Sequence, residues 1–314
     1  MDKIIRIGTR ESQLAVWQAN TVKELLLQKG YCSELVFIKS EGDTDLKTPL
    51  YEIGVQGIFT KALDIALLND EIDIAVHSMK DVPTMMAKGI VQAAVLPRAS
   101  CKDILVPKSS AKVSQAFEVW DTLRTNMPAV IATSSIRRKA QWLNRYPDDH
   151  IENLRGNVNT RLRKVEESNW NGAIFAAAGL ERIGLRPENA VDLDWMLPAP
   201  AQGAIIVVCR GSDLYCLEAC AHFHDEPTAV CTGIERDFLR ALLGGCSTPI
   251  SGLARIEDST IIFDGNILST DGKQKKEITK RVPVGESADM GNKAAIELLA
   301  NGGQEILNDI RNEH

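Results

Sequence analysis

Three groups of residues in this chain have the types and spacing to do chemistry. Cys246 lies in Leu-Gly-Gly-Cys-Ser-Thr-Pro-Ile (243–250), where two glycines leave room beside the thiol. Pro249 stiffens the exit, and Ser247 and Thr248 supply local hydrogen bonds. Such a thiol could carry a bulky covalent adduct, or it could be a small hydrophobe in a turn. The second group is His77-Ser78-Met79-Lys80-Asp81-Val82-Pro83, which sets a cation beside a carboxylate after the apolar run Ile72–Val76. That is where open α/β sheets place functional side chains, and Asp81 is the candidate catalytic group. The third is cationic. Thr133-Ser134-Ser135 opens a helix carrying Arg137 and Arg138, and a second strand-to-helix turn, Asn153 to Arg161, brings Arg155, Gly156 and Arg161. Hydroxyls and free N–H groups at a helix start, with forked guanidiniums behind them, suit carboxylates or phosphates.

The elements that would position these groups follow from periodicity. Ile4–Ile7 reads as a strand, Gly8-Thr9 as a turn with Arg10 in it, and Leu14 to Leu26 as a helix capped by Thr9 or Ser12. Further strands are expected at 34–39, 72–76, 91–96, 103–106, 130–132 and 172–178, with Arg182 just beyond the last. Residues 40–56, rich in Gly, Asp, Thr and Pro, read as a long loop, a mobile cover or simple disorder. The apolar strand Ala204–Cys209 follows the stiff Pro198-Ala199-Pro200-Ala201-Gln202-Gly203 and is expected to return to the first sheet. The expected fold is α/β: two lobes like those of periplasmic binding proteins, joined by a two-strand hinge, plus a small α+β domain. The first lobe would comprise residues 1–98 and 199–214, the second 99–198, and the C-terminal domain, carrying Cys246, 215–314. In that last part a helix at 235–243, strands at 251–256, 260–267 and 274–282, and one final helix from Lys293 to Ile310 are expected.

Composition narrows the function. A net charge of −6 argues against general nucleic-acid affinity, and no apolar run reaches membrane-spanning length. Yet between Arg137 and Lys164 eight Lys/Arg face three acids, so an acidic chain holds one cationic region fit for an anionic small molecule. Seven cysteines without a CxxC pair or a signal peptide point to a reducing cytoplasm. Cys216, Cys220, His222 and His224 are close in sequence, but no second ligand cluster accompanies them, and no metal is expected.

Five motifs carry a resemblance: Gly-Thr-Arg-Glu-Ser-Gln-Leu-Ala (8–15), His77 to Pro83, Thr133 to Arg138, Leu154 to Arg161, and Gly244 to Pro249. In this order they resemble the porphobilinogen deaminase (hydroxymethylbilane synthase) family from end to end. The resemblance implies a transferase that joins four porphobilinogen molecules head to tail, releasing ammonia each time, on a dipyrromethane cofactor held by a thioether. It places that thioether on Cys246 and the catalytic carboxylate on Asp81. It implies cofactor contacts from Lys80, Ser135, Arg137, Arg138 and Arg161. Substrate contacts would come from Arg10, Ser12, Phe59, Thr133, Arg155 and Arg182. A monomer without nucleic-acid or membrane partners is expected. Two departures stand out: Gly54-Val55-Gln56-Gly57 lacks the family's usual lysine, and Ala201 replaces a usual glycine. A hinge-closing binding protein for an anion would share the lobes and arginines without needing Cys246 or Asp81. A hydrolase pairing Cys246 with His77 would need an orienting partner and an oxyanion site, which the sequence does not display.

Overall fold

The computed structural model describes residues 3–39, 60–109, 128–242 and 248–312. Three sheets organise them. The first gathers β1 (Ile5–Thr9), β2 (Ser33–Phe37), β3 (Ile74–Ser78), β4 (Ile90–Val95) and β10 (Ile205–Arg210) in the order β2-β1-β3-β10-β4. The second gathers β5 (Asp103–Pro107), β6 (Val130–Ala132), β7 (His150–Glu152), β8 (Gly172–Ala176) and β9 (Val191–Asp192) in the order β7-β6-β8-β5-β9. In each, three parallel strands are followed by one that runs antiparallel to its neighbours: β10 between β3 and β4, and β5 between β8 and β9. The expected return of 204–209 to the first sheet is therefore observed, its strand shifted one residue to Ile205–Arg210.

This reversal matters for the sites. The beginning of an antiparallel strand lies at the same edge as the ends of its parallel neighbours. Ile205 pairs with Ser78 and Asp103 with Ala176, so the residues entering β10 and β5 reach the edge where β3 and β8 finish.

Apolar burial explains the strands. In β5, Ile104 and Val106 pack into one core with Phe175 and Leu180, while Leu105 packs into another with Trp142 and Ile174, as period-two alternation in a sheet covered on both faces requires. The first sheet buries Ile5, Ile7, Ile74, Val76 and Val207 against α1 (Gln13–Gln28) and α6 (Leu214–Ala221). The chain has two compact units: one holds the described residues up to Ala99 together with Gln202–Val230, the other holds Ser100–Ala201 and the described residues from Cys231 onward.

Helices α2 (Lys61–Leu68), α3 (Ile136–Arg145), α4 (Val158–Glu167) and α5 (Ala177–Glu181) complete the two larger sheets. Two expectations change in detail. The apolar run read as a strand to 178 stops at Ala176, and Ala177–Glu181 is helical. The third sheet, β11 (Ile250–Glu257), β12 (Thr260–Leu268) and β13 (Lys275–Pro283), is an antiparallel meander preceded by α7 (Glu226–Ala241). The final helix is two, α8 (Met290–Leu298) and α9 (Gln304–Asn312), because the chain breaks at Asn301 and Gly302, whose φ is +96°.

Candidate functional site

In the first unit the candidate residues sit at the ends of β1 and β3. Ser12 caps α1, accepting from the Ala15 N–H at 3.4 Å, and Arg10 stands in the turn before it. After β3 the chain makes a 3₁₀ turn, Met79–Asp81, pinned where the Met79 N–H donates to the Ala204 carbonyl at 3.0 Å. Met79 is buried, which fixes the turn from below and leaves Asp81 exposed at its end. Lys80 Nζ donates to Oε1 of the buried Gln202 at 3.2 Å, so a residue entering β10 holds the cation next to Asp81. Sequence reading missed Gln202. Its signal was weak, an amide after Pro198-Ala199-Pro200-Ala201, and its partner lies 122 residues away.

His77 is buried on β3, and its Nε2 finds no hydrogen-bond partner among the described residues. Burial, with the Arg10 charge adding to it, pushes the imidazole down to about 3. It is a neutral ring in the wall of this edge.

In the second unit the anion seat is built differently from expectation. The three hydroxyls at the start of α3 are largely turned inward: Thr133 Oγ1 accepts from the Ser135 N–H, Ser135 Oγ accepts from the Arg138 N–H, and Ser134 donates to the Leu154 carbonyl. Arg137 and Arg138 are buried, and both grip Asp103. Arg137 Nη2 donates to Asp103 Oδ2 at 2.7 Å and Nη1 to the Leu197 carbonyl at 2.7 Å. Arg138 gives Nε and Nη2 to Asp103 Oδ1 at 3.0 and 2.7 Å, and Nη1 to the Ile174 carbonyl at 3.0 Å. Asp103, a lone acid before an apolar run, was also missed, because nothing local shows that it faces α3.

The second turn is as anticipated in outline. Asn157 caps α4, accepting from the Thr160 N–H at 3.0 Å, and Gly156 has φ +114°, where an added Cβ would strike Thr160. Arg161 Nε donates back to the Gly156 carbonyl at 2.6 Å, and Lys164 Nζ to the carbonyl of the buried Arg155 at 3.1 Å. Burial pushes Arg182 down to about 10 despite the opposing pull of Glu181, and lowers Arg236 on α7 despite Asp237. Burial likewise lowers Arg137, an effect that Asp103 opposes and the Arg138 charge deepens. Arg137 and Arg138 thus share the one carboxylate of Asp103 among the described residues, a condition in which a carboxylate-rich ligand gains.

Phe59, Gly54 to Gly57 and Cys246 lie outside the described residues. Cys216 and Cys220, close in sequence to His222 and His224, pack in the core of the first sheet, and burial raises both thiols, Cys220 to about 12. His224 Nδ1 accepts from the Val95 N–H.

Residues 5–218 match the family model described as Porphobilinogen deaminase, dipyromethane cofactor binding domain, and residues 229–300 match Porphobilinogen deaminase, C-terminal domain. The chain belongs to the porphobilinogen deaminase family. It is 41% identical over 307 residues to the porphobilinogen deaminase of Syntrophotalea carbinolica, covering 96% of this chain and 95% of that one. The Moorella thermoacetica enzyme is 40% identical over 314 residues, covering 98% and 96%. The chloroplastic porphobilinogen deaminase of Pisum sativum is 40% identical, covering 97% and 84%. Among solved structures, a periplasmic substrate-binding protein from Coxiella burnetii aligns at TM-score 0.42 and 13% identity, covering 72% of this chain and 94% of that one. The sheet orders above, rather than that likeness, define the architecture. Family membership makes the chain an enzyme of tetrapyrrole biosynthesis whose cofactor is dipyrromethane. The donors present fit that group: Arg137 Nε is buried with no hydrogen-bond partner among the described residues, and the pyrroles carry acidic side chains.

Proposed function

We propose that this chain polymerises four porphobilinogen molecules into hydroxymethylbilane on a dipyrromethane joined through a thioether to Cys246. The observation that carries the reading is the buried pair Arg137 and Arg138 in the second unit, which share Asp103 while Arg137 Nε finds no hydrogen-bond partner among the described residues. Porphobilinogen bears an acetate and a propionate, so each added unit brings two carboxylates. Once bound, the cofactor supplies the pyrrole carbon from which the chain is extended.

The protein's own groups divide the remaining work. Asp81 stands exposed at the end of a turn whose backbone is pinned by the Met79 N–H on the Ala204 carbonyl, and it presents a carboxylate there. When porphobilinogen loses ammonia, the positive charge left on the pyrrole is stabilised by Asp81, which also accepts from pyrrole N–H groups. Lys80, steadied by Gln202, and Ser135, Arg137, Arg138 and Arg161 would hold cofactor carboxylates. Arg10, Ser12, Thr133, Arg155 and Arg182, with Phe59, would receive substrate. The six described cysteines are free, which supports a reducing, cytoplasmic setting.

Intact mass of the denatured protein tests the cofactor, since a thioether survives unfolding. A mass excess of one dipyrromethane on the peptide containing Cys246, lost in Cys246→Ala, is expected; an unmodified folded chain would overturn the reading. Asp81→Asn keeps shape and hydrogen-bonding reach but removes the charge. Ammonia release should fall by about 10²-fold or more with an unchanged melting temperature, and near-normal turnover would remove Asp81 from the catalytic role.

A further inference from the structure

Asp103 has no exposed surface, whereas the side chains of Arg137 and Arg138 keep 5% and 8% of theirs. The carboxylate is therefore out of reach of solvent, and of the three groups only the guanidiniums present any surface to an approaching anion. Among the described residues, Asp103 supplies the only carboxylate paired with either of them. Their other hydrogen-bond partners, Leu197 and Ile174, offer carbonyls, which satisfy N–H groups but carry no formal charge. Two cations thus share one anion in a place removed from water, and Arg137 Nε still lacks an acceptor among the described residues. Without Asp103 the like charges would repel, and each fork would keep only its one bond to a backbone carbonyl.

We infer that Asp103 is a positioning residue for the pyrrole chain: it divides one carboxylate between Arg137 and Arg138, fixes both forks, and leaves one positive charge to be met by a single ligand carboxylate. This rests on the functional reading above, in which these arginines serve the dipyrromethane. The topology explains the choice of residue. Asp103 opens β5, the antiparallel strand, and so arrives at the edge where β6 ends and α3 begins, much as Gln202, just ahead of β10, arrives at Lys80.

The test compares wild type, Asp103→Asn and Asp103→Glu in three measurements on the soluble, cooperatively melting fraction. These are covalent dipyrromethane per chain by intact mass, melting temperature, and KM and kcat with porphobilinogen. Asp103→Asn removes the shared charge and should lower cofactor occupancy about tenfold or more. Asp103→Glu keeps the charge but displaces both forks by a methylene, and should hold less cofactor than wild type and show a KM raised about fivefold or more. If the asparagine variant does not fold, the glutamate variant decides. A folded variant of either kind with wild-type occupancy and KM, whatever its melting temperature, would reduce Asp103 to a structural residue. Wild type without the added mass would instead overturn the underlying functional reading, and the inference with it.

Discussion

Ala201 adopts φ +61° and is fully buried, a left-handed conformation that a side chain with a Cβ rarely accepts. What holds it there is Glu235, also fully buried, which accepts from the Ala201 N–H at 2.6 Å through one oxygen and from the Ala254 N–H at 2.8 Å through the other. Glycine is the residue this conformation favours, so an alanine here costs stability. Ala201→Gly should raise unfolding stability by about 0.5–1 kcal/mol, read as a higher urea midpoint at unchanged m. An equal or lower midpoint would mean that the lost methyl packing outweighs the relieved strain.

At the scale of elements, the first sheet carries its buried ion network at the edge opposite the one where the chemistry is proposed. Asp73 precedes β3, 1% exposed, and accepts from the Arg6 backbone N–H and side chain at 2.9–3.0 Å and from Arg210 Nη2 at 3.1 Å, with Lys3 at 3.4 Å. One carboxylate thereby ties together β1, β3 and β10. Burial alone would raise its pKa, but the hydrogen bonds from Arg6 and the charges of Lys3 and Arg6 hold it well below the usual carboxylate range. Because the folded state binds this proton less readily than the unfolded chain, the contribution is complete above about pH 4 and is lost progressively as pH falls below that. Asp73→Asn should cost about 2–3 kcal/mol at pH 7, less than a fully enclosed pair because Lys3 and Arg6 reach solvent. It should also weaken the acid-induced loss of stability below pH 4. The Lys80–Asp81 turn lies at the other end of β3, so KM of the folded variant should not change. A stability profile superimposable on wild type would show that the network contributes nothing.

For the molecule as a whole, charge is unevenly spent: the net value is −6, yet among the described residues Arg137 and Arg138 share the single carboxylate of Asp103. If they recruit an anionic substrate, added salt should raise KM for porphobilinogen by roughly threefold as the screening length falls below about 10 Å, with kcat much less affected. A KM independent of ionic strength would assign these cations to structure. The arginines themselves were legible from sequence, since local composition records how many cations a segment carries. Which of them meet solvent was not, since burial is decided by what packs over them.

The same division holds more widely. Periodicity, caps and turn residues act within about ten residues, so β1 with its Ser12-capped helix, the turn to Asp81, Gly156 before α4 and the antiparallel C-terminal meander could all be read directly from the chain. Motifs in a fixed order likewise sufficed to point to the family. Tertiary structure alone decided that β10 slots between β3 and β4, that the final helix breaks at Gly302, and that Asp103 lies behind two arginines 34 and 35 positions further along. Most of these depend on strands and charges far apart in sequence meeting in space. A buried carboxylate is chosen by the cations that pack around it, and no local pattern encodes which those will be.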